Sequence, residues 1–270
     1  MSVKGIEKFR EAFAKYSDFY VLIGGSACDL LAQSIAERFR ATKDLDIVIL
    51  ADMSKRSPDA DGTGVNGAQD FAKTLWNFVE RGKYSAWTDK HGSARFYRFE
   101  KPKTSGYPHM IELFARNADF MLQDESTHIR PLHMGDEVSS LSAIILDDDY
   151  YEFIKSGATV LEGLSILDAI HLIPLKMRAH IDLNKKKLDG MHINEADLKK
   201  HRKDVIRLLN FVPPVKTLPL PKKLRSDALE FLGTLNDSNF HVEQVVPGIS
   251  NEMAHERIME MYLLDENAGF

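Results

Sequence analysis

Three carboxylates and a glycine turn are the residues of this sequence best placed to do chemistry. Asp44 and Asp46 flank Leu45. A strand there turns both acids to one face and Leu45 to the other. Two carboxylates about 7 Å apart along a strand can hold one or two Mg²⁺ ions. Glu112 lies inside the apolar run Met110-Ile111-Glu112-Leu113-Phe114, and an acid in a core strand is costly unless paired or metal-bound. Gly24-Gly25-Ser26 follow a short apolar run and precede a helical pattern. Glycines there let the backbone approach a ligand, and a helix N-terminus offers free N–H groups to a phosphate. Each feature alone has an ordinary reading as a tight turn, a pair of surface acids or an edge strand. Taken together they describe a two-metal nucleotidyl-transfer site. One metal would activate the attacking hydroxyl and the other would hold the triphosphate and its leaving pyrophosphate.

Other chemistries fit less well. A dinucleotide-binding fold places an acid about 20 residues after its glycine turn, which is the spacing from Gly24 to Asp44. However, Gly24-Gly25-Ser26-Ala27-Cys28-Asp29 breaks the G-x-G-x-x-G pattern, and Asp44 and Asp46 open their strand rather than close it. No Gly-Lys-Ser/Thr occurs, so there is no P-loop. His128 and His133 have no convincing third ligand, and zinc is not expected. Asp147-Asp148-Asp149 reads as a turn, and Cys28 as a packed thiol.

The elements that must position these residues are legible in outline. Ile6, Phe9, Phe13 and Tyr16 recur at helical spacing. A strand over 19–23 leads to a helix capped by Ser26, with Ala27, Leu30, Leu31, Ile35 and Phe39 on its apolar face. The pattern then predicts a strand over 46–50, a polar loop over 51–68 and a helix over 69–81. Strands follow over 94–99 and 109–114, with shorter ones near 143–147 and 159–167. From Asp168 the chain turns helical; Pro174 must kink that helix or begin a new one. Helices near 195–210, 225–236 and 250–264 complete it. The fold class is α/β (α+β): a core with a mixed sheet over 1–165, then a helical region over 166–270.

On these residues the chain resembles the AbiEii/AbiGii-type nucleotidyltransferases, toxin components of bacterial toxin–antitoxin and phage-abortive systems within the polymerase-β-like superfamily. The likeness is carried by Ile23-Gly24-Gly25-Ser26-Ala27 and by Arg40-Ala41-Thr42-Lys43-Asp44-Leu45-Asp46-Ile47. It continues in patches to about residue 210, through Leu164-Ser165-Ile166-Leu167-Asp168, Leu175-Lys176-Met177-Arg178-Ala179 and the stretch from His201 to Leu209. The resemblance implies a polymerase-β-like core with Mg²⁺ or Mn²⁺ at Asp44, Asp46 and Glu112. It implies nucleotide contacts from Gly24, Gly25, Ser26, Arg40 and Lys176, with Asp204 completing the site or positioning Lys176. It implies transfer of NMP from an NTP to an acceptor, whether RNA such as tRNA, a protein or a small molecule, and an antitoxin protein as partner. Arg207 stands where that family carries another acid. The competing readings are a non-catalytic nucleotide- or partner-binding relative and a small-molecule, antibiotic-type transferase.

Composition sets outer limits. The chain has 270 residues, 44% of them hydrophobic, 28% charged and a single cysteine. No apolar run approaches the roughly 18–20 residues of a membrane helix, and the N-terminus does not read as a secretory signal. No membrane partner and a cytoplasmic location are expected. The net charge of −5 conceals a split: residues 176–225 carry fourteen Lys/Arg against five Asp/Glu. That stretch is the candidate surface for an RNA or polyphosphate acceptor. No aromatic interleaving accompanies it, which argues for backbone contact without base stacking.

Overall fold

Ile6, Phe9 and Phe13 fall on one face of helix α1 (Ile6–Phe13), and all three are buried. The computed structural model describes residues 3–37, 39–40, 42–50, 67–91, 94–116, 130–131, 144–145 and 147–264. A 3₁₀ segment, Ala14–Phe19, follows α1 and delivers the chain into β1 (Tyr20–Ile23), all four residues of which are buried. Helix α2 (Gly24–Ser34) leads to β2 (Asp44–Ile49). Helix α3 (Gly67–Gly82) precedes β3 (Ser85–His91), β4 (Ala94–Glu100) and β5 (Met110–Ala115). A two-residue strand β6 (Arg130–Pro131) and the hairpin β7 (Ala158–Leu161) and β8 (Leu164–Leu167) complete one sheet. Its order is β6-β3-β4-β5-β2-β1-β8-β7. The sheet is mixed: β2 runs parallel to β5 and β1 to β8, whereas β1–β2 and β4–β5 are antiparallel. The expected α/β class is therefore observed.

An aromatic cluster packs α1 and α3 against β1. Phe13 meets Phe71 and Phe78 edge-on at 5.9 and 5.4 Å, and Phe9 meets Tyr20 at 5.6 Å. Such pairs add about 0.5–1.5 kcal/mol each beyond the area they bury. This cluster supports β1, and so the glycine turn at its end.

The chain divides into two compact units: residues 1–134 with 158–167, and 135–157 with 168–270. The boundary at 167/168 lies two residues from the one read in the sequence, but 135–157 falls with the helices rather than with the sheet. The reason is α4 (Asp148–Ser156), whose buried Tyr150 donates its hydroxyl to Asp227 Oδ2 at 2.9 Å. The strand expected near 143–147 is also corrected. Ile144 and Ile145 are helical, and Asp147 caps α4 by accepting from the N–H groups of Asp149 and Tyr150. A capping Asp, not a free turn, is thus the role of the triple-Asp sequence.

The helical unit continues with α5 (Ala169–Leu188), α6 (Glu195–Leu209), α7 (Lys222–Thr234) and α8 (Asn251–Met261). Pro174 sits inside α5, which neither ends nor restarts there. Proline removes the N–H that would bond the carbonyl of Ile170. The buried Tyr262 supplies the missing donor: its hydroxyl bonds Ile170 O at 2.6 Å.

Further expectations need adjustment. Helix α2 starts at Gly24 and ends at Ser34, so Ser26 is not its cap and Ile35 and Phe39 lie beyond it; Ile35 is exposed. Strand β3 is additional; its sequence, Ser-Ala-Trp-Thr-Asp-Lys-His, carries no apolar alternation and is set by pairing with β4. Gly67 and Ala68 already belong to α3, and the rest of the expected loop, together with His128 and His133, lies outside the described residues.

Candidate functional site

One row of backbone partners crosses the sheet. Ile23 on β1 pairs with Asp46 on β2, Asp46 with Glu112 on β5, and Glu112 with Arg98 on β4. Residues directly opposite one another share a face, and adjacent strands lie about 4.8 Å apart. The row thus gathers the end of β1, Asp46, Glu112 and Arg98 on one side of the sheet unit.

The glycine turn touches this row. Gly24 has φ +66°, in the left-handed region, and a Cβ there would overlap Asp46 Oδ2. Only glycine gives the backbone this path and leaves room for the carboxylate. A Cβ on Gly25 would lie 2.9 Å from Thr42 Oγ1 and 3.3 Å from Arg40 Nη2. Arg40, Thr42 and Asp46 therefore all converge on two glycines at the start of α2. Ser26 is fully buried, and its hydroxyl donates back to Ile23 O at 3.1 Å. The turn thus offers an anion its backbone, with Arg40 beside it.

Glu112 is only 8% exposed. Arg98 donates to its Oε1 from Nε at 2.8 Å and approaches the same oxygen with Nη2 at 2.6 Å. Asp46 lies on its other side, as its register partner on β2. Burial, first, and then the negative charge of Asp46 raise the Glu112 carboxyl from 4.5 to about 8, against the opposing pull of Arg98. Two carboxylates this close resist joint ionisation.

The structure therefore assembles Asp46 and Glu112, which the sequence reading placed on separate strands. Asp44 shares their face two residues along, where its backbone partner is Met110. Among the described residues, no three His, Cys, Asp or Glu side chains form a group that could hold a metal ion. Asp46 and Glu112 are the two of the three expected carboxylates that pair directly across adjacent strands. A pair fits Mg²⁺, which commonly takes one or two carboxylates and completes its shell with water and substrate phosphates. Arg98 is the residue that sequence reasoning missed. Its strand was legible, but nothing in an alternating Arg-Phe-Tyr-Arg-Phe segment says which arginine will face Glu112.

Lys176 and Asp204 belong to the helical unit, on α5 and α6. Both are buried, and Lys176 Nζ lies 3.8 Å from Asp204 Oδ2. Arg207 Nη1 also donates to Asp204, to Oδ1 at 3.5 Å. Asp204 thus pairs with Lys176 and with its i+3 neighbour at once.

A second constellation in that unit resembles a catalytic triad. Asp168 Oδ1 lies 2.6 Å from His171 Nδ1, and Ser156 Oγ lies 3.5 Å from His171 Nε2. The Ser156 proton, however, goes to Phe153 O at 2.9 Å, and Ser156 ends α4, where carbonyl oxygens rather than N–H groups face outward. Asp168 caps α5 through the N–H of His171. The group is a helix junction.

Part of the basic stretch is ion-paired within the same unit. Arg178 pairs with Asp182 and Asp227, Lys185 with Glu230, Lys187 with Glu195, Arg202 with Asp237 and Lys216 with Asp168. Four of these acids, Asp168, Asp227, Glu230 and Asp237, lie outside residues 176–225. No described helix is long and apolar enough to cross a membrane. In comparisons with known proteins, no family model and no curated sequence matches the chain.

Proposed function

We propose that this protein is a metal-dependent nucleotidyltransferase that moves NMP from an NTP to an acceptor hydroxyl. The observation that carries the reading is the row linking the positive-φ Gly24 turn, Asp46 and Glu112 on adjacent strands. Asp46 and Glu112 would hold Mg²⁺ or Mn²⁺, with Asp44 on the same face. Bound there, the ion would supply Lewis-acid stabilisation of charge on the transferring phosphate. The backbone of Gly24 and Gly25 and the guanidinium of Arg40 would bind the phosphates. In the transfer, the acceptor oxygen bonds to the α-phosphorus as the bond to the β-phosphate oxygen breaks. Pyrophosphate leaves, and the acceptor proton passes to solvent.

The resemblance to AbiEii/AbiGii-type transferases supports the same reading and adds a toxin role and an antitoxin partner. It also assigns Lys176 to the triphosphate. Ion pairs take up part of the basic stretch and leave an excess of cations there, and protein and small-molecule acceptors stand beside RNA. The test is incubation of the full chain with each labelled NTP, Mg²⁺ and either total RNA or cell lysate. Label should enter an acceptor with wild type and not with Asp46→Asn. Labelling that persists in Asp46→Asn sinks the proposal.

A further inference from the structure

We infer that Arg98 couples nucleotide binding to metal binding, by holding Glu112 in the free protein and passing to the triphosphate when the ion arrives. The inference deepens the nucleotidyltransferase reading and rests on it. Three observations carry it. Arg98 comes from β4, yet its guanidinium has crossed to Glu112 Oε1 on β5, where both Nε and Nη2 reach one oxygen. Glu112 is in turn the register partner of Asp46 on the adjacent strand, and Asp46 abuts Gly24. The guanidinium therefore stands about one strand spacing from the carboxylate nearest the phosphate-ready turn.

The charge balance gives the sequence of events. Without an ion, Arg98 is the cation that offsets two adjacent carboxylates. A divalent ion on Asp46 and Glu112 takes over that task and repels the guanidinium. The arginine fork is also well matched to phosphate oxygens, which it can engage through two N–H groups at once. A nucleotide triphosphate brought in with the ion gives the displaced guanidinium its new partner. Metal and nucleotide consequently assist each other, and linkage makes the assistance equal in both directions.

The probes are Mn²⁺, followed by paramagnetic resonance, and a nonhydrolysable NTP analogue with a fluorescent label. The full-length protein is titrated with Mn²⁺ alone and again with saturating analogue. The ratio of the two Mn²⁺ dissociation constants, corrected for Mn²⁺ bound by the analogue itself, measures the coupling. In wild type the analogue should tighten Mn²⁺ binding at least tenfold. Arg98→Met should abolish that gain while still binding Mn²⁺, and Arg98→Lys, which keeps the charge without the fork, should retain part of it. Circular dichroism and the unfolding midpoint identify any variant that fails to fold, and Arg98→Gln then replaces the methionine. Coupling that survives in Arg98→Met, or that vanishes as fully in Arg98→Lys, overturns the inference and leaves the transferase reading standing. Wild type that binds neither Mn²⁺ nor the analogue defeats the transferase reading itself.

Discussion

Glu112→Gln should make the sheet unit more stable at alkaline pH while removing the proposed activity. In the unfolded chain this carboxyl ionises near 4.5; in the folded protein it does so near 8. The folded state therefore binds the proton more tightly. Below about pH 4.5 both states are protonated and nothing is lost. As pH rises from 4.5 to 8 the unfolded carboxyl ionises freely and the folded one resists, so stability falls; above 8 the loss is constant. At about 1.4 kcal/mol per pH unit the full loss is on the order of 5 kcal/mol. Its coupling to Asp46 makes about 2–5 kcal/mol the working range. Glutamine keeps the shape, still accepts from Arg98 and carries no charge to bury. Both tryptophans, Trp76 and Trp87, lie in the sheet unit, and Trp76 packs edge-on to Phe99 at 5.9 Å. Urea unfolding followed by tryptophan fluorescence therefore reports this unit. In EDTA, the variant and wild type should differ little at pH 5 and by 2 kcal/mol or more at pH 9. Adding Mg²⁺ at about 100 times its dissociation constant should return about 2.7 kcal/mol to wild type and far less to the variant. Equal stability at pH 9 in EDTA would refute the electrostatic argument.

Four other perturbations have worked outcomes. Gly24→Ala combines a left-handed backbone with overlap on Asp46 and should cost about 2–5 kcal/mol, whereas Gly190→Ala, with φ +83° and open space around it, should cost about 1–2; paired urea titrations compare them. Tyr262→Phe orphans the Ile170 carbonyl beneath Pro174 and should cost about 1–3 kcal/mol, while Pro174→Ala, which restores the backbone donor, should reduce that cost in the double variant. Asp204→Ala strands a buried lysine and should cost about 3–5 kcal/mol; a cycle with Lys176→Met should recover part of it, and strictly additive losses would deny the pairing. His180 is held neutral by burial, lowered from 6.5 to about 4, with its ring 3.0 Å from Leu198 O. It should withdraw about 3 kcal/mol as pH falls from 6.5 to 4 and nothing above that range; His180→Gln should flatten this acid limb in thermal melts.

Local patterns were readable in the sequence, and distant pairings were not. The strand ending at Ile23, the glycine turn and the alternation of Asp44, Leu45 and Asp46 depend on neighbours along the chain. So does the anomaly of an acid in Met110–Phe114. What turned three scattered acids into a pair beside a turn was register: Asp46 opposite Glu112, not opposite Ile111. A slip of one residue would have faced Glu112 away from Asp46 and buried its charge against the other layer. Arg98 was hidden for the same cause. The membership of 135–157 depends on Tyr150 meeting Asp227, which is 77 residues away, and no periodicity encodes that meeting. Pro174 left two readings open because its solution, Tyr262, comes from the far end of the helical unit.

Both units set one arginine against two acids, and the sheet unit's case bears on the proposed function. In the helical unit, Asp227, 5% exposed, accepts from both Tyr150 and Arg178, and Arg178 also pairs with Asp182. Lys176 faces Asp204, and Arg202 pairs with Asp237 while its guanidinium lies 3.9 Å over the ring of Phe240. These are ordinary solutions, with opposite charges neutralised at short range. In the sheet unit, the buried Glu112 meets Arg98 and, on its other side, another acid, Asp46. A neutral glutamine would satisfy the same neighbours at lower cost. A second positive charge between Asp46 and Glu112 would make the arrangement favourable, and the glycine turn beside Asp46 is where an anion accompanying that cation could approach the backbone. A buried like-charge pair beside the positive-φ Gly24 turn is the arrangement that the proposed cation and phosphate would relieve.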